Sequence, residues 1–214
     1  MGVKERRERE KSETRDKILD AARELFVTEG YEGVSMRRVA EKIEYSPTAI
    51  YLHFADKKEL FLELCHQDYE RLAEVFQSSL MSADPIERLK QIGMIYCEFG
   101  IRNPNHYQFM FMAPHPPQEM DDVDRDVHGN PEKDAYAFLK WAVQQAIDAG
   151  RCRKELRDAD VISQTLWASV HGVISLEIAK GRDAWVDWRP IKDRISAMID
   201  VTFRGLERPA KEGQ

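Results

Sequence analysis

Among its 214 residues the chain has only three cysteines, Cys65, Cys97 and Cys152. An odd, widely spaced set supplies neither a disulfide framework nor a clustered zinc site, so no metal and no cofactor are expected. No apolar run reaches the roughly 18 to 20 residues that cross a bilayer, and the first residues are charged where a secretory signal would be apolar. The expectation is a soluble cytoplasmic protein with no membrane partner. G-x-S-x-G, P-loop, dinucleotide and Cys-x-x-Cys signatures are all missing, so nothing marks an active site and no enzyme is expected. The six histidines, His53, His66, His106, His115, His128 and His171, show no compelling metal-ligand spacing.

Hydrophobic types make up 43% of the chain and charged types 33%, enough for a packed core. The net charge of -6 is unevenly placed. Residues 1–62 hold 13 Lys/Arg and 13 Asp/Glu, so the acidic excess lies entirely in the remainder. The opening eleven residues carry Lys4, Arg6, Arg7, Arg9 and Lys11 against three glutamates, a weakly basic arm that permits phosphate contact or simply stays solvated.

Helical spacing dominates from there on. A first helix is expected from Ser12 or Thr14 to about Glu29, with Ile18, Ala22, Leu25 and Phe26 on one face and Arg15, Lys17, Asp20, Arg23 and Glu24 on the other; Gly30 is its stop. Ser35 caps a short helix burying Val39 and Ala40. Ser46 caps another, with Pro47 in its first turn and Ile50 and Phe54 inward. Asp56 and Glu59 open a fourth by a capping-box pattern, and further starts come at Asp84, Asn103, Glu132, Asp158 and Pro190. The stretch 113–129, with Pro114, Pro116 and Pro117, reads as a long mobile loop. The expected fold is all-α with about nine helices. Its parts are a flexible arm 1–11, a three-helix head 12–58, a helical domain 59–208 and a tail 209–214.

The two short capped helices between Ser35 and Phe54, joined around Glu44 and Tyr45, have the proportions of a helix-turn-helix. Ser46, Pro47, Thr48 and Ala49 allow close approach to base edges. Tyr51, Leu52 and His53 come next, with Ser35 and Arg37 on the preceding helix and Lys57 beside the backbone; together these are the candidate DNA contacts. Local composition alone leaves ordinary packed helices as an alternative.

The run from Ile18 to Phe61 resembles the N-terminal DNA-binding domain of the TetR family of bacterial transcriptional regulators. The resemblance rests on Ile18, Ala21, Ala22, Leu25, Phe26 and Gly30, then Ser35, Val39 and Ala40, then Ile50-Tyr51-Leu52-His53-Phe54 with Lys57 and Leu60. Trp167-Ala168-Ser169-Val170-His171-Gly172 is similar to the W-x-x-x-H-G motif of one group of its regulatory domains. The turn departs from the family at Glu44, where glycine is usual: either the turn accepts a strained left-handed residue or it takes another path. Leu52 stands where many relatives carry a second tyrosine, and offers an apolar surface to a thymine methyl.

What the resemblance implies is a homodimeric repressor of a near-palindromic operator in double-stranded DNA, released by a small apolar or amphipathic effector. The effector pocket would draw on Tyr96, Phe99, Tyr107, Met110, Phe111, Trp141, Trp167 and His171. Read singly, each of these is as well explained by core packing, and Trp167 with His171 as a buried pair. The dimer face would come from the last two long helices, through Trp167, Val170, Ile174, Ile178, Ile195, Met198 and Ile199, with Gly172 allowing close approach. A helical adaptor without specific DNA binding, or an enzyme with an unrecognised site, are the alternatives.

Overall fold

Capping chemistry decides where these helices begin. The computed structural model describes residues 2–78, 82–116 and 128–208. Their helices are α1 (Val3–Gly33), α2 (Met36–Lys42), α3 (Pro47–Tyr51), α4 (Lys57–Ser78), α5 (Pro85–Arg102), α6 (Pro104–Phe111), α7 (Ala135–Asp148), α8 (Ala159–Lys180) and α9 (Ile191–Leu206). The fold is all-α, with nine helices among the described residues. Asp84, Asp134 and Asp158 each accept two backbone N–H groups from the first turn of α5, α7 and α8, at 2.8–3.2 Å. Each such cap is worth about 1 kcal/mol. At α4, Asp56 accepts the Glu59 N–H at 2.8 Å while Glu59 reaches back to the Ala55 N–H at 2.6 Å.

α1 starts at Val3, ahead of the Ser12–Thr14 start read from the apolar pattern. The opening residues have no apolar face, but their charges alternate at helical spacing: Arg6 pairs with Glu10 at 2.7 Å and Arg9 with Glu13 at 3.7 Å. Such i,i+4 pairs extend a helix without needing a core. Gly30 breaks the helical path, at φ 70° and ψ 170°, before the chain makes one more turn to Gly33. Of the stretch expected as a long loop, residues 117–127 lie outside the described residues, as does the tail 209–214.

The chain divides into two compact units, Met1–Asp68 with Asn105–Arg125, and Tyr69–Pro104 with Asp126–Gln214. In the first, α1 and α3 pack with α2 over a core of Ile18, Ala22, Phe26, Val39, Ala40, Ile50 and Phe54. Phe26, Phe61 and Phe109 continue it, with ring centroids 5.4–6.0 Å apart. In the second, α5 packs against α7, α8 and α9, and α8 lies against α7 and α9. Gly93 on α5 makes room there, since a Cβ at that position would stand 3.4 Å from Val170. No helix of the described residues is long and apolar enough to cross a membrane.

Candidate nucleic-acid interface

α2 ends in a Schellman motif. The Tyr45 N–H donates to the Ala40 carbonyl at 2.9 Å and the Glu44 N–H to the Glu41 carbonyl at 3.2 Å. That pattern requires a left-handed residue after the cap, and Glu44 supplies it at φ 59°. Of the two paths open to this turn, the protein takes the strained one, at a cost of about 1–2 kcal/mol. Ser35 caps α2 through the Arg38 N–H, and Ser46 caps α3 through the Ala49 N–H at 3.2 Å.

Ile50 and Phe54 are fully buried, which turns the rest of α3 and its exit outward. Ser46, Pro47 and Thr48 are exposed and Ala49 is half-buried. Tyr51 is 54% exposed and Leu52 74%. Tyr45, in the turn, is also exposed, although it is not one of the candidate DNA contacts. His53 is half-buried, and its Nδ1 has no hydrogen-bond partner among the described residues. Burial, reinforced by the positive charges of Lys11 and Arg15, holds its pKa below the ordinary value.

The cations of this surface are mostly engaged. Arg37 pairs with Glu41 at 2.9 Å, Arg38 with Glu29 at 2.7 Å and Lys42 with Glu24 at 2.7 Å. Lys57 donates to the Tyr31 carbonyl at 3.0 Å and lies 4.1 Å from the centre of that ring. The expected phosphate contact of Lys57 therefore competes with an intramolecular one.

Behind the surface lies a polar network that the sequence reading missed. Arg23, assigned to the solvent side of α1, is buried, and it makes a bidentate contact with the equally buried Asp68 of α4, both bonds 2.9 Å. His106 of α6 adds its Nδ1 to Asp68 at 2.8 Å, and Asp20 accepts from Arg23 at 2.7 Å. The signal was positional. Arg23 falls four residues after Leu19 and three before Phe26, and Asp68 midway between Leu64 and Leu72, each inside an apolar stripe.

The residues expected around an effector divide between the units. Tyr107, Met110 and Phe111 belong to the first, where Tyr107 is fully buried with Phe111 5.1 Å away. Tyr96, Phe99, Trp141, Trp167 and His171 belong to the second. There the Trp167 Nε1–H donates to the Tyr96 hydroxyl at 3.0 Å, and Phe99 is buried. Trp141 is 40% exposed under the Arg88 guanidinium, 5.2 Å from its ring centre. Burial lowers the pKa of His171.

Of the residues expected at a dimer face, Val170, Ile174, Ile195 and Ile199 are buried within the protomer, while Ile178 and Met198 are half-buried. Ile174 and Ile195 are almost wholly enclosed, whereas Val170 and Ile199 each keep 9% of their surface exposed. Trp167 is 37% exposed, and exposed apolar surface on the same two helices comes from Val161, Leu176 and Val201. A Cβ on Gly172 would meet nothing within 4 Å.

A helix-turn-helix with its left-handed turn, followed by a helical second unit, is the arrangement the resemblance called for. Residues 18–64 match the family described as bacterial regulatory proteins, tetR family, and residues 89–201 match the tetracyclin repressor-like C-terminal domain family. An HTH-type transcriptional repressor AcnR from Corynebacterium efficiens is 46% identical over 206 residues, covering 92% of this chain and 94% of that protein. The chain belongs to the TetR family. The AcnR of Corynebacterium diphtheriae is 47% identical over 66 residues, 31% of this chain and 35% of its own length. For that relative, as for the AcnR of Corynebacterium glutamicum at 33%, the match spans about a third of the protein. The fold agrees with solved TetR-like structures at low identity. The fatty acid degradation regulator FadR of Bacillus halodurans superposes with a TM-score of 0.72 at 16% identity, covering 91% of this chain and 97% of that one. NalD of Pseudomonas aeruginosa gives 0.68 at 18%, covering 93% and 99%.

Proposed function

We propose that this TetR-family regulator is a repressor that binds a near-palindromic operator as a homodimer and is released by a small apolar or amphipathic effector. The observation that carries the DNA half of this reading is the exposed face of α3 and its exit, Thr48, Tyr51 and Leu52, held over buried Ile50 and Phe54. A side chain such as Leu52, exposed without packing need, suits contact with a base edge such as a thymine methyl. Repression is supported by the name of the Corynebacterium efficiens relative, matched over nearly its whole length. The proposed division of labour is a DNA-binding head over 12–58 and a regulatory domain over 59–208.

Dimerisation is proposed through α8 and α9, using Trp167, Ile178, Met198, Leu176 and Val201, with Gly172 admitting the partner's helix. For the effector, Tyr96, Phe99, Trp167 and His171 are the proposed contacts in the second unit, the Tyr96 hydroxyl, held by the Trp167 indole N–H, serving as a polar anchor in apolar walls. On the strength of Trp167-Ala168-Ser169-Val170-His171-Gly172, the regulatory domain is proposed to belong with the W-x-x-x-H-G group.

The test is selection of duplexes from a randomised library by the full-length protein, followed by titration of variants. Thr48→Val and Leu52→Ala are expected to change the ranking among selected sequences, about 1–3 kcal/mol per altered contact. Lys57→Gln is expected to weaken all of them about equally and to lower the salt slope by about one unit for each protomer bound. Failure to enrich any sequence would refute the reading.

A further inference from the structure

A DNA-binding surface draws most of its affinity from cations that neutralise phosphates. On the helix-turn-helix of this chain Arg37, Arg38 and Lys42 are paired with glutamates, and Lys57 is bonded to a carbonyl. The first turns of α1 are built differently. Positions 7, 11 and 15, four residues apart, lie along one face of the helix and carry Arg7, Lys11 and Arg15. Arg6 and Arg9, on other faces, are occupied by Glu10 and Glu13. Arg7 and Lys11 are exposed and form no ion pair among the described residues.

The orientation of this stripe is set by Arg15. Its guanidinium lies 4.6 Å from the centre of the Phe54 ring, at the exit of α3, and pairs with Glu63 at 2.9 Å. Lys11 and Arg15 both act electrostatically on His53, the residue before Phe54. The row of cations thus starts at the end of α3 and runs away from it along α1, at a rise of about 6 Å for every four residues.

We infer that Arg7 and Lys11 form a phosphate-contacting rail on duplex DNA outside the base pairs addressed by α3, lengthening the footprint of the head. This rests on the DNA-binding reading above. The occupant is a polyanion of regular charge spacing continuous with the strand held at α3, which duplex DNA provides, with one charge per about 1.7 Å of axis.

The experiment uses the full-length protein and a duplex it selects from a randomised library, made in two lengths. One ends at the outer edge of the half-sites and the other extends each side by about ten base pairs, one helical turn. Arg7→Gln/Lys11→Gln keeps two good helix formers in α1, checked by circular dichroism. On the extended duplex it is expected to lower the salt slope by about two units for each protomer bound, with roughly tenfold weaker binding at low salt. On the short duplex it should match the wild type. Arg6→Gln/Arg9→Gln removes the same formal charge from other faces and is expected to leave the slope unchanged. An unaltered slope for Arg7→Gln/Lys11→Gln on the extended duplex, or an equal loss in Arg6→Gln/Arg9→Gln, would overturn the rail while leaving the DNA-binding reading standing. Failure of the wild type to select any duplex would overturn both.

Discussion

Replacing Asp68 by Asn changes one atom of a buried carboxylate and unbalances the hydrogen bonds around it. Both oxygens of Asp68 accept hydrogen bonds from Arg23, Oδ2 from Nε and Oδ1 from Nη2, each at 2.9 Å. An asparagine must point its NH2 at one of those two donors whichever way the amide is turned, so one Arg23 bond is replaced by a donor facing a donor. The guanidinium side chain, 5% exposed, then keeps one bond to the amide oxygen and has Asp20 as its remaining carboxylate, which is 73% exposed and attracts it through solvent. Removing one partner of a buried pair costs about 3–5 kcal/mol, because the remaining charge is left desolvated. For a chain of this size that lowers the melting temperature by about 6–20 °C. Thermal unfolding followed at 222 nm, at fixed protein concentration, reads it directly.

A second variant separates the worth of the pair from the cost of breaking it. Arg23→Met/Asp68→Leu removes both charges and fills the space with apolar atoms, and should recover most of the loss, since buried ion pairs roughly break even against well-packed hydrophobic residues. A double variant no more stable than Asp68→Asn, or a single variant within about 1 kcal/mol of wild type, would refute the assignment of a desolvated charge pair at this site. The network joins α1, α4 and α6, so urea unfolding of Asp68→Asn should also show the first unit loosening at lower denaturant.

Glu44→Gly should stabilise the protein by about 0.5–1 kcal/mol, the 1–2 kcal/mol of left-handed strain less the entropy glycine adds to the unfolded chain; a lower urea midpoint would count against the strain. His53, His115 and His171 all have pKa values below their ordinary 6.5, through burial first in each case. The unfolded chain therefore binds protons more readily than the folded one, and stability should fall as pH drops below about 7, flattening only beneath the folded values. His115→Phe, in the nest of Phe61 and Phe109, should make that decline shallower, and an unchanged slope between pH 5 and 7 would remove His115 from the account. Leu176→Glu is expected to shift the protein from dimer to monomer in sedimentation without changing the helix content of the protomer; a dimer of undiminished strength would exclude the outer face of α8 from the interface.

How much of this could be read from the chain depends on whether the deciding interaction is local. Ser46 with Pro47, and Asp84 and Asp158, mark helix starts because a cap needs only its own three or four neighbours, whereas the start expected at Glu132 falls instead at the Asp134 cap. The inward pair Ile50 and Phe54 is legible for the same reason, being one turn apart. The Asp68 network is not, since its partners lie 45 residues away in Arg23 and 38 in His106. A charge inside an apolar stripe announces that something pairs with it, but only the fold says what. α8 shows the opposite limit. Apolar residues lie on several of its faces, so spacing alone does not separate the inward Val170 and Ile174 from the outward Val161 and Leu176. Glu44 lies between the two cases. The resemblance leaves open whether Glu44 is left-handed, and its φ of 59°, with the two hydrogen bonds that close on Ala40 and Glu41, answers it only in the folded chain.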